Sequence, residues 1–382
     1  MSALRAFVSD LLDAEGAIVE ASGPDRLDVL APEPLRSKFG WREELVRLEF
    51  GSAATPGTQR VGLDSDWLER FANLLGDRGR SAQRQLPRHP IAPPGSPERL
   101  IERALELPNA VWRYGGQTET WTQVLLLAFR YAALSDEKRD GLVWLGFNLG
   151  TGAVLRDDLV LRLVRHATET SVWLAPESEN LAMAGQDMLS AEQLATRIPA
   201  LLERRVHDEL ATFLRSMQRR LDRDRARVFA YHNDLRQAAI AKVSKLRASS
   251  SEKAAAETQR EMLKADAIKR EYAAKIEDLR HKYALQVEAE CVQSLVLLAP
   301  VQRHSIVIKR RKGERTVAMD WHPAVRQMET PLDEVGLGLD AVRLVCDDSL
   351  HLTSASAQTC ASCGKARCQA CHPAQCPKCE RR

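Results

Sequence analysis

Six cysteines fall in the last 23 residues as three C-x-x-C pairs: Cys360/Cys363, Cys368/Cys371 and Cys376/Cys379. A C-x-x-C turn aims two thiolates at one ion, and two such turns complete the tetrahedral four-thiolate site that zinc prefers. The outer pairs, twelve residues apart, suit a zinc ribbon, and the middle pair is an alternative second half for either. Gly364, directly after Cys363, fits the turn of a knuckle. Cys346, His351 and His372 add enough donors for a second ion, but the favoured reading is one. A segment this short buries no core of its own, so metal is expected to fold it, as a structural and not a catalytic site. A redox role is the lesser alternative, since no βαβ pattern surrounds the pairs.

A second cluster is cationic. Lys309, Arg310, Arg311 and Lys312 follow one another beside Arg303, His304 and Arg315. On an exposed turn these side chains are a candidate phosphate-binding surface for DNA, with salt-dependent affinity. Their bland alternative is an edge strand kept from aggregating by charge. The arginines at 204, 205, 215, 219, 220, 223, 225 and 227 alternate with Asp208, Glu209, Asp222 and Asp224, a pattern that reads mainly as a solvated helix face. Enzyme signatures are missing from the sequence: no phosphate-binding loop, no H-E-x-x-H and no G-x-S-x-G. Asp64/Asp66 and Asp136/Glu137/Asp140 are close acids without a His partner. No catalytic residue and no small-molecule substrate is therefore expected.

The elements that must position these groups follow from pattern. In residues 1–86, Ala17–Glu20 and Leu27–Leu30 read as strands joined by the Ser22-Gly-Pro-Asp turn, and Trp67–Leu75 as an amphipathic helix. Residues 87–98 are a proline-rich linker. A β-rich unit spans 99–189. Its strands are Val111–Tyr114, Thr122–Tyr131 and Leu142–Leu149, with turn residues at Gly115-Gly116 and Asp140-Gly141 and a polar break from Ser135 to Lys138. Asp157–Arg165 fits a helix or a strand. Residues 190–290, rich in Ala, Glu, Lys, Arg, Leu and Gln, predict a long antiparallel helical hairpin with a narrow apolar seam. Its second helix starts at the capping-box spacing Ser249–Glu252. A small β-rich unit follows over 291–357, with Val292–Leu298, Ser305–Ile308, Thr316–Met319 and Val342–Val345 as strands, and the cysteine tail closes the chain from 358 to 382. The fold class is α+β.

Composition bounds the function. Lys and Arg total 55 against 52 Asp and Glu, a net charge of +3, so basic function has to be local and not a property of the whole surface. No apolar run is long enough to cross a membrane, and the opening residues carry acids at Asp10, Asp13 and Glu15 where a secretory signal would be apolar. The chain is expected in the cytoplasm, where paired thiols are more often metal ligands than disulfides.

Over roughly residues 225–382 the order of motifs resembles a known group. Tyr272, Lys275-Ile-Glu-Asp-Leu279 and Lys282-Tyr283 lie on the helical arm. Pro300, Ile308–Lys312, Trp321-His-Pro323 and Leu339–Val345 come after it, and cysteine knuckles follow. This resembles the region beyond the motor in bacterial Swi/Snf-type DNA translocases, the HepA-like helicases, and the accessory proteins encoded beside them. Members often carry a cysteine pair shortly after Trp-His-Pro; here Met328–Val335 has none. With no ATPase motor present, the resemblance implies a partner subunit for such a translocase, in bacterial defence against phage or other foreign DNA. The combined expectation is a non-enzymatic, zinc-binding adaptor that docks a protein partner and touches DNA. A metal-dependent nuclease with its site in the N-terminal half and a structural coiled-coil scaffold are the alternatives.

Overall fold

The computed structural model describes residues 3–51, 55–76, 80–88, 93, 95–170, 172–173, 189–248, 252–311, 313–365, 367–376 and 379. The chain is α+β and divides into two compact units, 1–80 and 81–382.

Unit 1 runs α1 (Ala3–Ala14), β1 (Ile18–Gly23), β2 (Arg26–Leu30), α2 (Glu33–Phe39), β3 (Leu45–Glu49), β4 (Gln59–Arg60) and α3 (Trp67–Leu75), with the sheet in the order β1-β2-β3-β4. The two strands, their turn and the Trp67–Leu75 helix lie where sequence places them. Alternation sends Val19, Val29 and Val46 to one face as a cross-strand row, with Leu27 beside Leu48. That face buries Val8 and Leu12 of α1 and Phe71 of α3.

Unit 2 is organised by two long strands, β6 (Val111–Leu134) and β9 (Gln286–Arg310), antiparallel to each other from Val111↔Lys309 to Leu134↔Gln286. At ~3.3 Å per residue each runs roughly 80 Å. The far edge of β6 pairs with β7 (Lys138–Asn148). The far edge of β9 pairs first with β5 (Ser81–Gln85), itself paired with β8 (Val172–Trp173), and then with β10 (Gly313–His322), followed by β11 (Gln327–Met328). Strands expected in separate units, 99–189 and 291–357, thus belong to one seven-stranded sheet.

Gly115 and Gly116 are not a turn. They form a bulge at the register shift between Tyr114 and Gly116, where Gly116 takes a φ of 121° that a side chain would resist. Gly141 lies inside β7 opposite Tyr131, and the hairpin turns instead at the polar break, where Ser135 N–H bonds Glu137 O.

Three helical layers cover the sheet. The segment left open between helix and strand is α5 (Asp157–Thr170), whose Leu159, Val160 and Leu163 pack on Val124 and Leu126. The next residues along β6, Leu127, Phe129, Tyr131 and Ala133, join the start of α6 (Ala191–Arg247) through Leu201, Leu210 and Phe213. Helix α4 (Pro97–Ala104) contributes Leu100 and Ile101 to a third cluster with Ile306, Ile308, Met319 and Trp321. A Ser190–Gln193 capping box starts α6.

Beyond Met217, α6 pairs with α7 (Glu252–Lys282), forming the expected helical arm. Its narrow seam buries His232, Ala239, Ala254 and Ile268, and at its base Tyr283 OH donates to Asp224 (2.8 Å). The cap expected from Ser249 to Ser251 lies outside the described residues, as do part of the proline-rich linker and Lys312. No helix among the described residues is long and apolar enough to cross a membrane.

Candidate metal centre

The short strands β12 (Leu344–Val345) and β13 (Leu352–Thr353) form a hairpin whose loop runs from Cys346 to His351. Cys346 N–H bonds His351 O (3.1 Å), closing the loop, and Leu350 adopts a φ of 55°, which costs a non-glycine residue. What holds that strain is burial: Val345, Leu350 and Leu352 sink into the cluster around Ile306, Met319 and Trp321. The Cys346 sulfur accepts N–H bonds from Ser349 (3.4 Å) and His351 (3.2 Å), the environment of a thiolate.

The three C-x-x-C turns follow a 3-10 turn at Ala355–Gln358. Gly364 N–H bonds Cys360 O (2.8 Å) with Gly364 at a φ of 65°, where glycine is the natural residue. His372 N–H bonds Cys368 O (3.0 Å) in the same way, and Cys379 N–H bonds Cys376 O (2.9 Å). Arg367 reaches across the second turn to donate to His372 O and to Pro373 O (3.1 Å).

These turns assemble two four-donor groups. Cys346, His351, Cys368 and Cys371 form the first, and Cys360, Cys363, Cys376 and Cys379 the second, each with its donor atoms within 4.8 Å of one another. In the first, Cys346 Sγ lies 3.7 Å from Cys371 Sγ, and His351 Nδ1 lies 3.3 Å from Cys371 Sγ and 3.8 Å from the Cys346 and Cys368 sulfurs. In the second, Cys360–Cys379 and Cys363–Cys376 are 3.9 and 4.0 Å apart. Bonds of ~2.3 Å in a tetrahedron put sulfurs about 3.8 Å apart, whereas a disulfide needs ~2.05 Å. All eight cysteines are free thiols. Each group could hold a metal ion.

Electrostatics agree with that fit. The backbone N–H groups of Cys363 and Ser362 draw the Cys360 thiol down to about 6. Hydrogen bonding with Cys363 and burial push Cys379 up to about 12. Burial, with the neighbouring Cys346 and Cys368 thiols adding to it, pushes Cys371 up to about 12. Four sulfurs this close cannot all ionise against one another without a cation.

One expectation is corrected: there are two groups, not one. The outer pairs do share a site, but the middle pair serves neither half of it and joins Cys346 and His351 instead. His372 belongs to neither group. The reason is geometric. The hairpin loop presents its donors at a five-residue spacing, and donor pairs one and three alternate with pairs two and four along the chain. The count of donors carried that signal; C-x-x-C spacing alone did not.

The basic hairpin lies on β9 and β10, and most of its charge is engaged. Arg303 makes a bidentate pair with Asp320 (2.8 and 2.8 Å), Lys309 meets Glu314 (3.1 Å), and Arg315 forks onto Glu334 (2.8 and 3.0 Å). Arg310 donates to Val345 O and pairs with Asp347 (3.0 Å), while Arg315 also reaches Leu350 O (3.2 Å). Arg310 and Arg315 therefore clamp the loop that carries Cys346 and His351. Arg311 is exposed.

A buried polar network lies beneath Arg303 that sequence gave no reason to expect. Asn148 Nδ2 donates to both Asp320 (2.9 Å) and Glu329 (2.7 Å), while its Oδ1 accepts from Thr122 (2.6 Å) and from Gly150 N–H (3.0 Å). His322 stands 3.5 Å from Glu329, and all of Thr122, Asn148, Asp320, His322 and Glu329 are at most 1% exposed. Only the Trp321-His-Pro segment had drawn attention to this place. Compared with known protein families and with curated proteins, the chain finds no match.

Proposed function

We propose that the chain is a non-enzymatic, zinc-binding adaptor of the cytoplasm, whose knuckled end docks a protein partner. The observation that carries this is the pair of alternating four-donor groups, one of them built on a hairpin loop anchored in the core of unit 2. Thiolate-rich sets at tetrahedral spacing suit zinc, and with every position filled by a protein donor the ion is closed to substrate and serves structure. Zinc bound there would hold a rigid, solvent-facing surface on the end of a stable sheet, which is what a docking module requires.

The partner favoured by the sequence resemblance is a Swi/Snf-type DNA translocase acting in anti-phage defence. Within this reading DNA contact falls to Arg311, to Lys309, whose ion pair with Glu314 is exposed, and to their neighbour in sequence Lys312, because Arg303, Arg310 and Arg315 are less exposed and engaged internally. The test combines metal analysis with binding. Purified protein is expected to contain two zinc ions per chain and to form a complex with such a translocase, lost when Cys368 and Cys371 are replaced by Ala. Absence of bound metal, or divalent-ion-dependent cleavage of DNA by the chain alone, overturns it.

A further inference from the structure

The positive charge of this nearly neutral protein is concentrated on the arm. Residues 219–247 of α6 carry nine Lys and Arg against three Asp, a local +6 in a chain of net +3. Two of those three acids are already engaged. Asp224 is held by Tyr283 and by Lys282 (3.5 Å), and Asp222 accepts from Gln218 (2.9 Å).

Within that stretch Arg219, Arg223, Arg227 and Tyr231 follow at strict four-residue intervals, so they share one face of the helix. All four are exposed, Tyr231 by 60%. The seam residues His232 and Ala239 point the other way, toward α7. Among the described residues none of the three arginines makes an ion pair or hydrogen bond; Arg227 only adds a field at the occupied Asp224. Arg220, next in the helix, by contrast forks onto Asp136 (2.7 and 3.0 Å). Arginines four apart repel, and the two acids nearest the row, Asp222 and Asp224, are hydrogen-bonded to Gln218 and Tyr283 and not to these arginines.

The geometry of the row indicates what would relieve the repulsion. Four residues rise ~6 Å, so the row sets three guanidinium forks at regular intervals along roughly 12 Å, with Tyr231 one step further. On one side the row is flanked by Ala226 and Ala230, small enough for a polyanion backbone to lie against the helix, and on the other by Arg220 and Asp224. A protein helix docking there would need an apolar stripe, and this face has no large aliphatic side chain. Tyr231 at the end of the row offers a ring for a base to stack on.

We propose that the outer face of α6 over residues 219–231 binds the phosphate backbone of a nucleic acid, with Arg219, Arg223 and Arg227 as phosphate ligands. This deepens the DNA-contact part of the adaptor reading by assigning it a second surface, separate from the β9–β10 hairpin.

The experiment uses the full chain and fluorescence anisotropy with a labelled single strand on the order of 20 nucleotides, and its duplex, over a salt series starting at about 50 mM. The triple variant R219A/R223A/R227A is expected to bind roughly 10- to 100-fold more weakly at the lowest salt. Its log–log salt slope should shrink by about 2.7 on duplex and about 2.1 on single strand. The triple Lys variant should keep most of the slope, and circular dichroism should show full helicity for both variants. Replacing Lys309 and Arg311 by Ala tests the hairpin separately, so either surface can fail alone. The arm proposal is overturned if wild-type protein binds neither probe, or if R219A/R223A/R227A keeps the wild-type slope.

Discussion

Unit 2 crowds acidic groups in two places, and the two differ in what the chain supplies to offset them. In the knuckles, thiols converge at 3.7–4.0 Å, and the backbone N–H groups of Ser349 and His351 donate to the Cys346 sulfur. Beneath the sheet, Asp320 and Glu329 converge on one Asn148 amide while Arg303 forks onto Asp320. The carboxylate network brings its own cation and its own donors. The thiol groups could take that cation from solution. One arrangement is complete when the chain folds; under the proposed zinc reading, the other makes folding of the tail a binding reaction.

The sharpest way to break this contrast is to withdraw metal. A strong chelator is expected to unfold residues 355–379 while the long sheet stays intact. The apparent free energy at stake is on the order of 10 kcal/mol per structural zinc at neutral pH. Limited proteolysis and zinc release read it; a tail equally protected with and without chelator would show that thiolate gathering needs no ion. Next in size is Asp320→Ala. It leaves Arg303 and Asn148 facing an emptied buried site, and urea unfolding should show a loss of about 3 kcal/mol, at the low end for a broken buried pair because Arg303 is partly exposed.

The two metal groups should themselves differ. Cys368→Ala removes a donor from the group anchored through Val345 and Leu350, and is expected to cost the sheet unit about 1–2 kcal/mol. Cys379→Ala, in the group with no such anchor, should leave sheet unfolding within about 0.5 kcal/mol of wild type. Equal effects would mean the hairpin loop transmits nothing to the core.

The smallest effect concerns Glu329. Burial, with the Asp320 charge adding to it and His322 opposing, pushes its carboxyl above the ordinary range. A raised carboxyl favours the protonated form in the folded state. Its contribution is fully present below the unfolded value of ~4.3 and declines as pH rises through the folded one. Glu329→Gln mimics the protonated group, so its stability profile above about pH 4.3 should be flatter than wild type in a Tm series. A parallel profile would locate the titration elsewhere.

The arm and the α+β class were legible because a run of strong helix formers has few alternatives. The small strands of unit 1 were legible from alternation around Gly23-Pro24. The two long strands were not, because local signals of interruption were real but had another meaning. Gly115-Gly116 marks a bulge within β6. Pro300 sits where β9 passes from its pairing with β5, ending at Leu298, to its pairing with β10, starting at Gln302. A missing N–H is tolerated in such a gap. The outer cysteine site was legible from spacing, whereas Cys346 and His351 were recognisable as donors but not as a pair with 368 and 371. The buried network was illegible for a different reason: Asn148 is far in sequence from Asp320 and Glu329, and each sits in an ordinary strand or strand-end pattern.

The register between β6 and β9 also constrains how the chain reaches its native state. Leu134 and Gln286 are direct partners, yet the whole of α6 and α7 intervenes. Zipping them from an open coil would incur the entropy of closing a very long loop, the circumstance that slows sheet proteins most. The helical hairpin shortens that search, because each helix grows from neighbouring residues and the two pack on each other. Lys242–Glu261 and Asp224–Tyr283 fasten the fold at its outer and inner ends. A helical hairpin formed early would bring Gln286 back toward Leu134 and act as an assembly jig for the sheet, so a helix-breaking substitution in the arm is expected to slow refolding measured by stopped-flow.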